Sequence, residues 1–245
     1  MEYKTILILG GNSDLAKSLA KDLAKLGFNL ILTSRKKGQL DSFKYDLEIK
    51  YSVKCEIEFL DILDFESHQV FYEKLSAKTD IVITCIGYLD NQNISQNNFN
   101  ETLKSIQSNF TGLVSILNII ANDFENKKSG IIIGISSIAG DRGRSSNYIY
   151  GSAKSAFSTY LSGLRNRLYK NGVKVITVKP GFIRTKMTSH LELNNMLTAS
   201  TENISKDIIN AINKNKDIVY TRWFWKYIIL IIKYIPERIF KSLNI

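Results

Sequence analysis

The sequence predicts an α/β fold: one domain built on a doubly wound, parallel sheet of about seven strands and extended by an amphipathic helical tail. Three observations carry this expectation. Short apolar runs such as Thr5-Ile6-Leu7-Ile8-Leu9, Asp80-Ile81-Val82-Ile83-Thr84-Cys85 and Gly130-Ile131-Ile132-Ile133-Gly134-Ile135 lack polar alternation, so they read as strands buried on both faces. Segments with helical spacing separate these runs, which is the alternation of βαβ units. The first run breaks on Gly10-Gly11-Asn12-Ser13-Asp14, a turn placed directly before a helix. Strand, glycine turn and helix N-terminus together present free backbone N–H groups and a positive dipole end to an anion.

Size and composition bound the function. A chain of 245 residues, 44% apolar and 23% charged, suits one domain with a sizeable core. Its net charge of +10 would fit nucleic acid, anionic lipid or a phosphorylated ligand. No recognition-helix or zinc pattern supports nucleic acid. Cys55 and Cys85 sit in apolar strand-like runs and read as buried thiols of a reducing cytoplasm. His68 and His190 are too few and too far apart for a metal site. Met1-Glu2-Tyr3-Lys4 lacks the basic region of a signal peptide, so a cytoplasmic location is expected.

Taken in order, Leu15 to Leu26 is an amphipathic helix stopped by Gly27. Asp14 is a good cap for it, although its charge disfavours a pyrophosphate that it faces. Asn29 to Thr33 is the second strand and runs into Ser34-Arg35-Lys36-Lys37. A dinucleotide site that prefers NAD(H) carries an acid at this point, and none occurs between Leu30 and Leu40. Arg35 with Ser34 suits a 2′-phosphate instead, favouring NADP(H); the competing reading is a solvated basic turn. Gln39 to Lys50 reads as a helix and Cys55 to Leu60 as the third strand. The fourth strand runs from Asp80 to Cys85, and Gly87 beyond it lets backbone approach a ligand closely. Asn98 to Phe124 is one long helix carrying Asn109. The fifth strand, Gly130 to Ile135, leads through Ser136-Ser137 to a helix from Tyr150 to Tyr169. After Asn171-Gly172, Lys174 to Val178 is the sixth strand. Thr185 to Thr201, with Met187, His190, Leu191, Leu193, Met196 and Leu197, reads as an apolar lid in which His190 has no evident partner.

The chemistry concentrates around the fifth strand. Tyr150 and Lys154 are four residues apart, so their side chains leave one helix face together. An ammonium beside a phenol stabilises the phenolate and pulls its pKa from about 10 towards neutrality, where a general acid works best. Ser137, thirteen residues before Tyr150, stands where it can hold a carbonyl oxygen beside that phenol.

Ser137, Tyr150-x-x-x-Lys154 and Asn109 on the preceding long helix resemble the short-chain dehydrogenase/reductase family, over residues 4–220 or so. The resemblance implies a Rossmann-type sheet of order 3-2-1-4-5-6-7. Asn109, Ser137, Tyr150 and Lys154 become the catalytic set, with Asn109 holding a water that continues a proton relay from Lys154. In the family's Gly-x-x-x-Gly-x-Gly loop this chain keeps Gly10 and has Asp14 and Ala16 at the later two positions; Asn12, Ser13, Asp14 and Leu15 are the implied cofactor contacts there. Asp61-Ile62 matches the pair that contacts adenine. Gly87 closes Thr84-Cys85-Ile86-Gly87, where the family usually has Asn-Asn-Ala-Gly. Pro180-Gly181-x-x-x-Thr185 matches the segment in which Ile183 and Thr185 contact nicotinamide amide and phosphate. Tyr150 and Lys154 also touch the cofactor. The family also implies a homodimer or homotetramer through helices 98–124 and 150–170.

Residues 1–221 are therefore expected to form the cofactor-binding domain and 222–245 a tail. In that tail Arg222, Lys226, Lys233 and Glu237 fall in one sector at about 100° per residue, with apolar or aromatic residues at the other positions through Ile235. The apolar span is short of the roughly 20 residues that a bilayer crossing needs. It fits a helix lying in the membrane interface, on the cytoplasmic face. Its competing role is a cover for the cleft or an oligomer contact. Trp223-x-Trp225, Ile235-Pro236-x-x-x-Phe240 and the Gly10-Gly11-x-Ser13-Asp14 loop resemble the decaprenylphosphoryl-ribose 2-keto-sugar reductase subgroup. The expected function is NADP(H)-dependent reduction of a carbonyl on a lipid-linked keto sugar or another membrane-borne ketone. The alternative is a soluble ketone or 3-oxoacyl thioester reductase. A dinucleotide-sensing regulator would not need the complete catalytic set.

Overall fold

The computed structural model describes residues 5–75, 79–189, 192 and 194–243. Met1–Lys4, and His190, Leu191 and Leu193 of the expected lid, lie outside the described residues. In chain order come β1 (Thr5–Leu9), α1 (Asp14–Lys25), β2 (Asn29–Ser34), α2 (Asp41–Tyr51), β3 (Cys55–Phe59), α3 (Ser67–Glu73) and β4 (Ile81–Thr84). Then follow α4 (Gln92–Ser95), α5 (Phe99–Ile106), α6 (Gly112–Lys127), β5 (Ile131–Ile135), α7 (Tyr148–Leu168) and β6 (Lys174–Pro180). The chain continues with β7 (Phe182–Ile183), β8 (Thr198–Ala199), α8 (Thr201–Asn213), β9 (Ile218–Thr221), α9 (Trp225–Tyr234) and α10 (Glu237–Phe240).

Seven parallel strands form the main sheet in the order β3-β2-β1-β4-β5-β6-β9. The apolar runs are continuous because both faces are covered. Side chains alternate across a strand, so Ile6 and Ile8 pack with α1 and α8 through Leu19, Ile204 and Ile208. Leu7 and Leu9 pack on the other side with Ile116, Phe124, Phe157 and Leu161 of α6 and α7. Each such side chain, fully removed from water, contributes about 1.5–3 kcal/mol. Strand order reverses between β1 and β4, and that opens a crevice at the carboxyl ends of the strands.

Several expectations need correction. The helix from Asn98 to Phe124 is interrupted: Asn98 caps α5, and a π-helical turn over Gln107–Thr111 widens the helix before α6. Asn109 sits inside that turn, a feature that concentrates at functional sites. The cap of α1 is Ser13, whose Oγ accepts the Ala16 N–H at 3.1 Å, with Asp14 the first helical residue. Cys55 is buried in β3, whereas β4 ends at Thr84 and leaves Cys85 half-buried beyond the sheet. The helices α3, α4 and α8 and the strand β9 were not among the expected elements, although α8 buries Ile204, Ile208 and Ala211 at helical spacing.

The tail packs against the domain. Trp225 and Ile229 are 4% and 2% exposed and form a small core with Ile138. A Cβ on Gly181 would fall 2.0 Å from the Trp225 Nε1, so only glycine admits the indole there. Arg142 fastens the far end: its guanidinium donates to the Ile232, Lys233 and Ile235 carbonyls at 2.6, 3.0 and 2.7 Å, and pairs with Glu237 at 2.9 Å. Those carbonyls are the ones a helix C-terminus leaves without partners.

Candidate active site

Ser137 follows β5 directly and Tyr150 and Lys154 lie in the first turns of α7, so a strand end and a helix start meet over the crevice. Ser137 Oγ accepts the Ala139 N–H at 3.1 Å, capping a single 3₁₀ turn, and lies close enough to the Tyr150 hydroxyl to favour its ionised form. Lys154 is 2% exposed; its Nζ donates to the Ile135 carbonyl at 3.1 Å and sits 5.7 Å from the Tyr150 ring centroid. Burial pushes the Tyr150 phenol up to about 12, opposed by the Ser137 hydroxyl and reinforced by Asp90. Burial brings Lys154 down to about 8, with Cys85 acting against it. The expectation that Lys154 pulls the phenol towards neutrality is thus not met in this arrangement. Desolvation disfavours the charged form of each and is the largest influence on both.

Asn109 is fully buried behind these groups. Its amide accepts the Tyr88 N–H at 3.1 Å and donates to the Tyr88 and Ser105 carbonyls at 2.6 and 2.9 Å. In this structure it fixes the backbone just after Gly87, and its side chain is fully engaged in doing so.

A cleft of about 820 Å³ runs along the strand ends. It brings together Asn12, Ser13, Asp14 and Leu15 with Gly87, Ser137, Tyr150 and Lys154. Pro180, Gly181, Ile183 and Thr185 line it from the other side. Gly10 lies beneath this wall at φ +89°, where its Cβ would meet the Cys85 carbonyl at 3.0 Å; the close approach and the left-handed backbone both call for glycine. Asp14 turns across the cleft, its Oδ2 accepting the Lys186 N–H at 2.7 Å. Thr185 and Thr188 cap the turn Lys186–Thr188 reciprocally.

Ser34, Arg35, Asp61 and Ile62 stand outside the cleft lining, at the ends of β2 and β3. Ser34 Oγ accepts from Asn12 Nδ2 at 2.6 Å. Arg35, its side chain 66% exposed, lies 4.0 Å from the Asp61 carboxylate. Asp61 Oδ1 also accepts the Leu63 N–H, and Ile62 is buried against Gly112. These residues fit a dinucleotide. The first-turn N–H groups of α1 have no intrahelical acceptor. Asn12 Oδ1 is buried without a partner, and Arg35 is open to an anion at the position where a ribose would end.

Sequence reasoning missed Asp90, Gln92, Arg144 and Asn147, which line the far end of the cleft. Asp90, Arg144 and Asn147 sit in irregular segments and Gln92 opens the single-turn helix α4, so no spacing marks them. It also missed Trp225 as a support for Gly181. The Cys85 thiol lines the cleft as well, but burial pushes its pKa up to about 12, so it is inert at neutral pH. Among the described residues no cluster could hold a metal ion.

A family model described as short chain dehydrogenase matches residues 4–195. An uncharacterized oxidoreductase of Mycobacterium tuberculosis is 24% identical over 241 residues, covering 97% of this chain and 96% of its own. The NADP-dependent 3-hydroxy acid dehydrogenase of Schizosaccharomyces pombe is 27% identical over 234 residues, covering 89% and 90%. Among solved structures, a short-chain dehydrogenase from Sphingobium yanoikuyae in complex with NADPH superimposes with a TM-score of 0.82 at 21% identity, covering 96% of this chain and 97% of that one.

Proposed function

The chain belongs to the short-chain dehydrogenase/reductase family, and on that premise we propose that it is an NADP(H)-dependent carbonyl reductase whose substrate is a keto sugar on a lipid carrier. The observation that carries the chemistry is Ser137, Tyr150 and buried Lys154 brought together on one cleft wall. When bound, the nicotinamide exchanges a hydride with the carbonyl carbon. Ser137 holds the carbonyl oxygen within reach of Tyr150 Oη, and Tyr150 gives that oxygen its proton. A phenol kept protonated by burial is a competent donor throughout the neutral range. Lys154 places positive charge next to the phenolate that remains and binds the nicotinamide ribose. Asn109 keeps Gly87 and Tyr88 in register with the site. Arg35 and Ser34 take the 2′-phosphate, Asn12 through Leu15 the pyrophosphate, Asp61 and Ile62 the adenine, and Ile183 and Thr185 the nicotinamide side. The NADPH complex of the Sphingobium enzyme supports the cofactor assignment.

The lipid-linked substrate rests on the tail. Tyr227, Leu230, Ile231 and Tyr234 are exposed on α9, and Trp223, Ile239 and Leu243 extend the apolar surface. Lys226, Lys233 and Glu237 are exposed along one side of the tail and Arg222 is half-buried, but three of the four charges also hold the tail to the domain. Arg222 donates to the Met196 carbonyl at 2.7 Å, Lys233 lies 3.3 Å from Asp141, and Glu237 holds Arg142. Lys226, Arg238 and Lys241 remain outside as a basic rim, so the surface suits an anionic bilayer face on the cytoplasmic side. Among the described residues no helix is long and apolar enough to cross a membrane. We also propose that a second copy sits against the face formed by the π turn before α6 and by α7, which carries Phe110, Ser155 and Thr159, and that sedimentation should give a dimer or tetramer mass.

The test is NADPH oxidation against a polyprenyl-phosphate 2-keto sugar beside a 3-oxoacyl thioester and simple ketones, with and without anionic vesicles. Turnover of the lipid-linked ketone that rises with vesicles supports the reading. Equal or better turnover of the soluble thioester, unaffected by vesicles, would replace it with the soluble alternative.

A further inference from the structure

The far end of the cleft carries polar atoms that nothing in the protein satisfies. Gln92 is 9% exposed, and its Oε1 accepts the Ile149 N–H at 3.1 Å at the start of α7. That bond fixes the amide, so Nε2 is a donor of known orientation, and it is buried without a partner. Asp90 is held the same way: Oδ1 accepts from Ser105 Oγ at 3.0 Å, while Oδ2 is buried and unpaired. Asn147 adds a third orphaned atom, its Oδ1. All three line the cleft, together with Arg144. Among the described residues the Arg144 guanidinium has no ion pair or hydrogen bond. The carboxylate whose field reaches it, Asp141, is already engaged by Lys179 at 2.6 Å and Lys233 at 3.3 Å. Burial accordingly lowers the Arg144 pKa, the mark of a desolvated cation short of counter-charge.

Buried polar groups in native proteins nearly always have partners, and exceptions call for a ligand or an ion. Here one site offers an acceptor-only carboxylate oxygen, a donor-only amide nitrogen and a cation. A hydroxyl both donates and accepts, so adjacent hydroxyls satisfy Asp90 and Gln92 at once, whereas an acyl chain satisfies neither. A guanidinium without a counter-ion selects a phosphoryl group, through paired charge-assisted bonds. Resting on the reductase reading, we propose that Asp90, Gln92 and Arg144 form the subsite that selects the substrate, taking a hydroxylated ketone that carries a phosphoryl group, with Arg144 on the phosphoryl oxygens.

The experiment uses the full chain loaded with NADP⁺ and calorimetric titration with dihydroxyacetone phosphate and with dihydroxyacetone. Wild type should bind the phosphorylated ketone at least about 10-fold more tightly. Arg144→Gln should erase that preference, weakening the phosphorylated ketone by about 10- to 100-fold and leaving dihydroxyacetone and NADPH within about 2-fold. Arg144→Lys, which keeps the charge but not the fork, should fall between. Gln92→Leu and Asp90→Asn should weaken both ketones alike. The subsite is overturned if wild type does not distinguish the two ketones, or if Arg144→Gln weakens both equally or loses NADPH. Phosphoryl binding that depends on Arg144 without NADPH oxidation by any ketone would leave the subsite standing and remove the reductase assignment instead.

Discussion

The two ends of the cleft are built differently. The end assigned to the nucleotide comes from the carboxyl ends of β1, β2 and β3, within the first 62 residues, and is built on short turns that directly follow neighbouring strands. The substrate end is assembled from Leu89–Asn93, the loop after Ser137, the segment after Pro180 and a tail helix that begins at Trp225. A loop whose place depends on several distant segments can be changed at any one of them while the strands stay in register. On the proposed reading, the cofactor end rests mainly on turns that follow neighbouring strands of the sheet and the substrate end on packing between distant segments.

Removing the support of one end gives the largest expected effect. Trp225→Ala takes a buried indole from between Gly181, Phe182 and Ile138 and should cost about 3–5 kcal/mol in urea unfolding. At temperatures where the variant is still folded, NADPH binding followed by nicotinamide fluorescence should persist while turnover is lost. Loss of both together would show that the two ends are one unit. Tyr150→Phe acts at their junction: turnover should drop by at least about 10²-fold with NADPH affinity nearly unchanged. A variant that still turns over at the wild-type rate would remove Tyr150 from the proton step.

Arg35→Ala should touch the nucleotide end alone. It should weaken NADPH by about 1.5–3 kcal/mol and NADH hardly at all, because only the former has a 2′-phosphate. Equal losses would make Arg35 a solvated turn residue. The smallest effect lies in pH. Folding holds Lys154 near 8 against 10.5 for the free side chain, so between these values the unfolded chain carries a proton that the folded chain lacks. Stability therefore rises with pH across this window. The stability of wild type relative to Lys154→Met should climb by up to about 1.4 kcal/mol per pH unit. A flat difference from pH 8 to 10 would mean that Lys154 stays charged when folded.

How much was legible in the sequence follows the same division. Apolar runs at Thr5–Leu9 and Ile131–Ile135, Gly10 and the Ser137, Tyr150, Lys154 spacing each express a local rule, so the strands and the meeting of these side chains on one cleft wall could be read in advance, while the sheet order came from the family resemblance. The π turn around Asn109 could not, because a one-residue widening leaves hydrophobic spacing nearly intact. The balance between Tyr150 and Lys154 was misjudged because pairing was legible and depth of burial was not. Arg142 and Arg144 illustrate the limit. They are alike in sequence and two positions apart, yet one caps a helix more than 80 residues away and the other enters the cleft. Only tertiary contact distinguishes them. The tail pattern likewise gave a helix and a break at Pro236, but not that the helix starts only at Trp225 or which charges find partners on the domain.

The indole seated on Gly181 has a consequence for how the protein is made. Domains assemble as the chain leaves the ribosome, at about 5–20 residues per second. Strands β1 to β5 can pair as soon as residue 135 has emerged. The wall over Gly181 must wait for β9 and for Trp225, synthesised some 40 residues after the glycine it rests on. A stalled nascent chain ending before residue 218 lacks β9, the partner of β6, as well as Trp225, so the segment after Pro180 should be cut readily by protease. The cell would hold a half-built dehydrogenase that cannot yet take a ketone, and translation itself would set the moment at which reduction can begin.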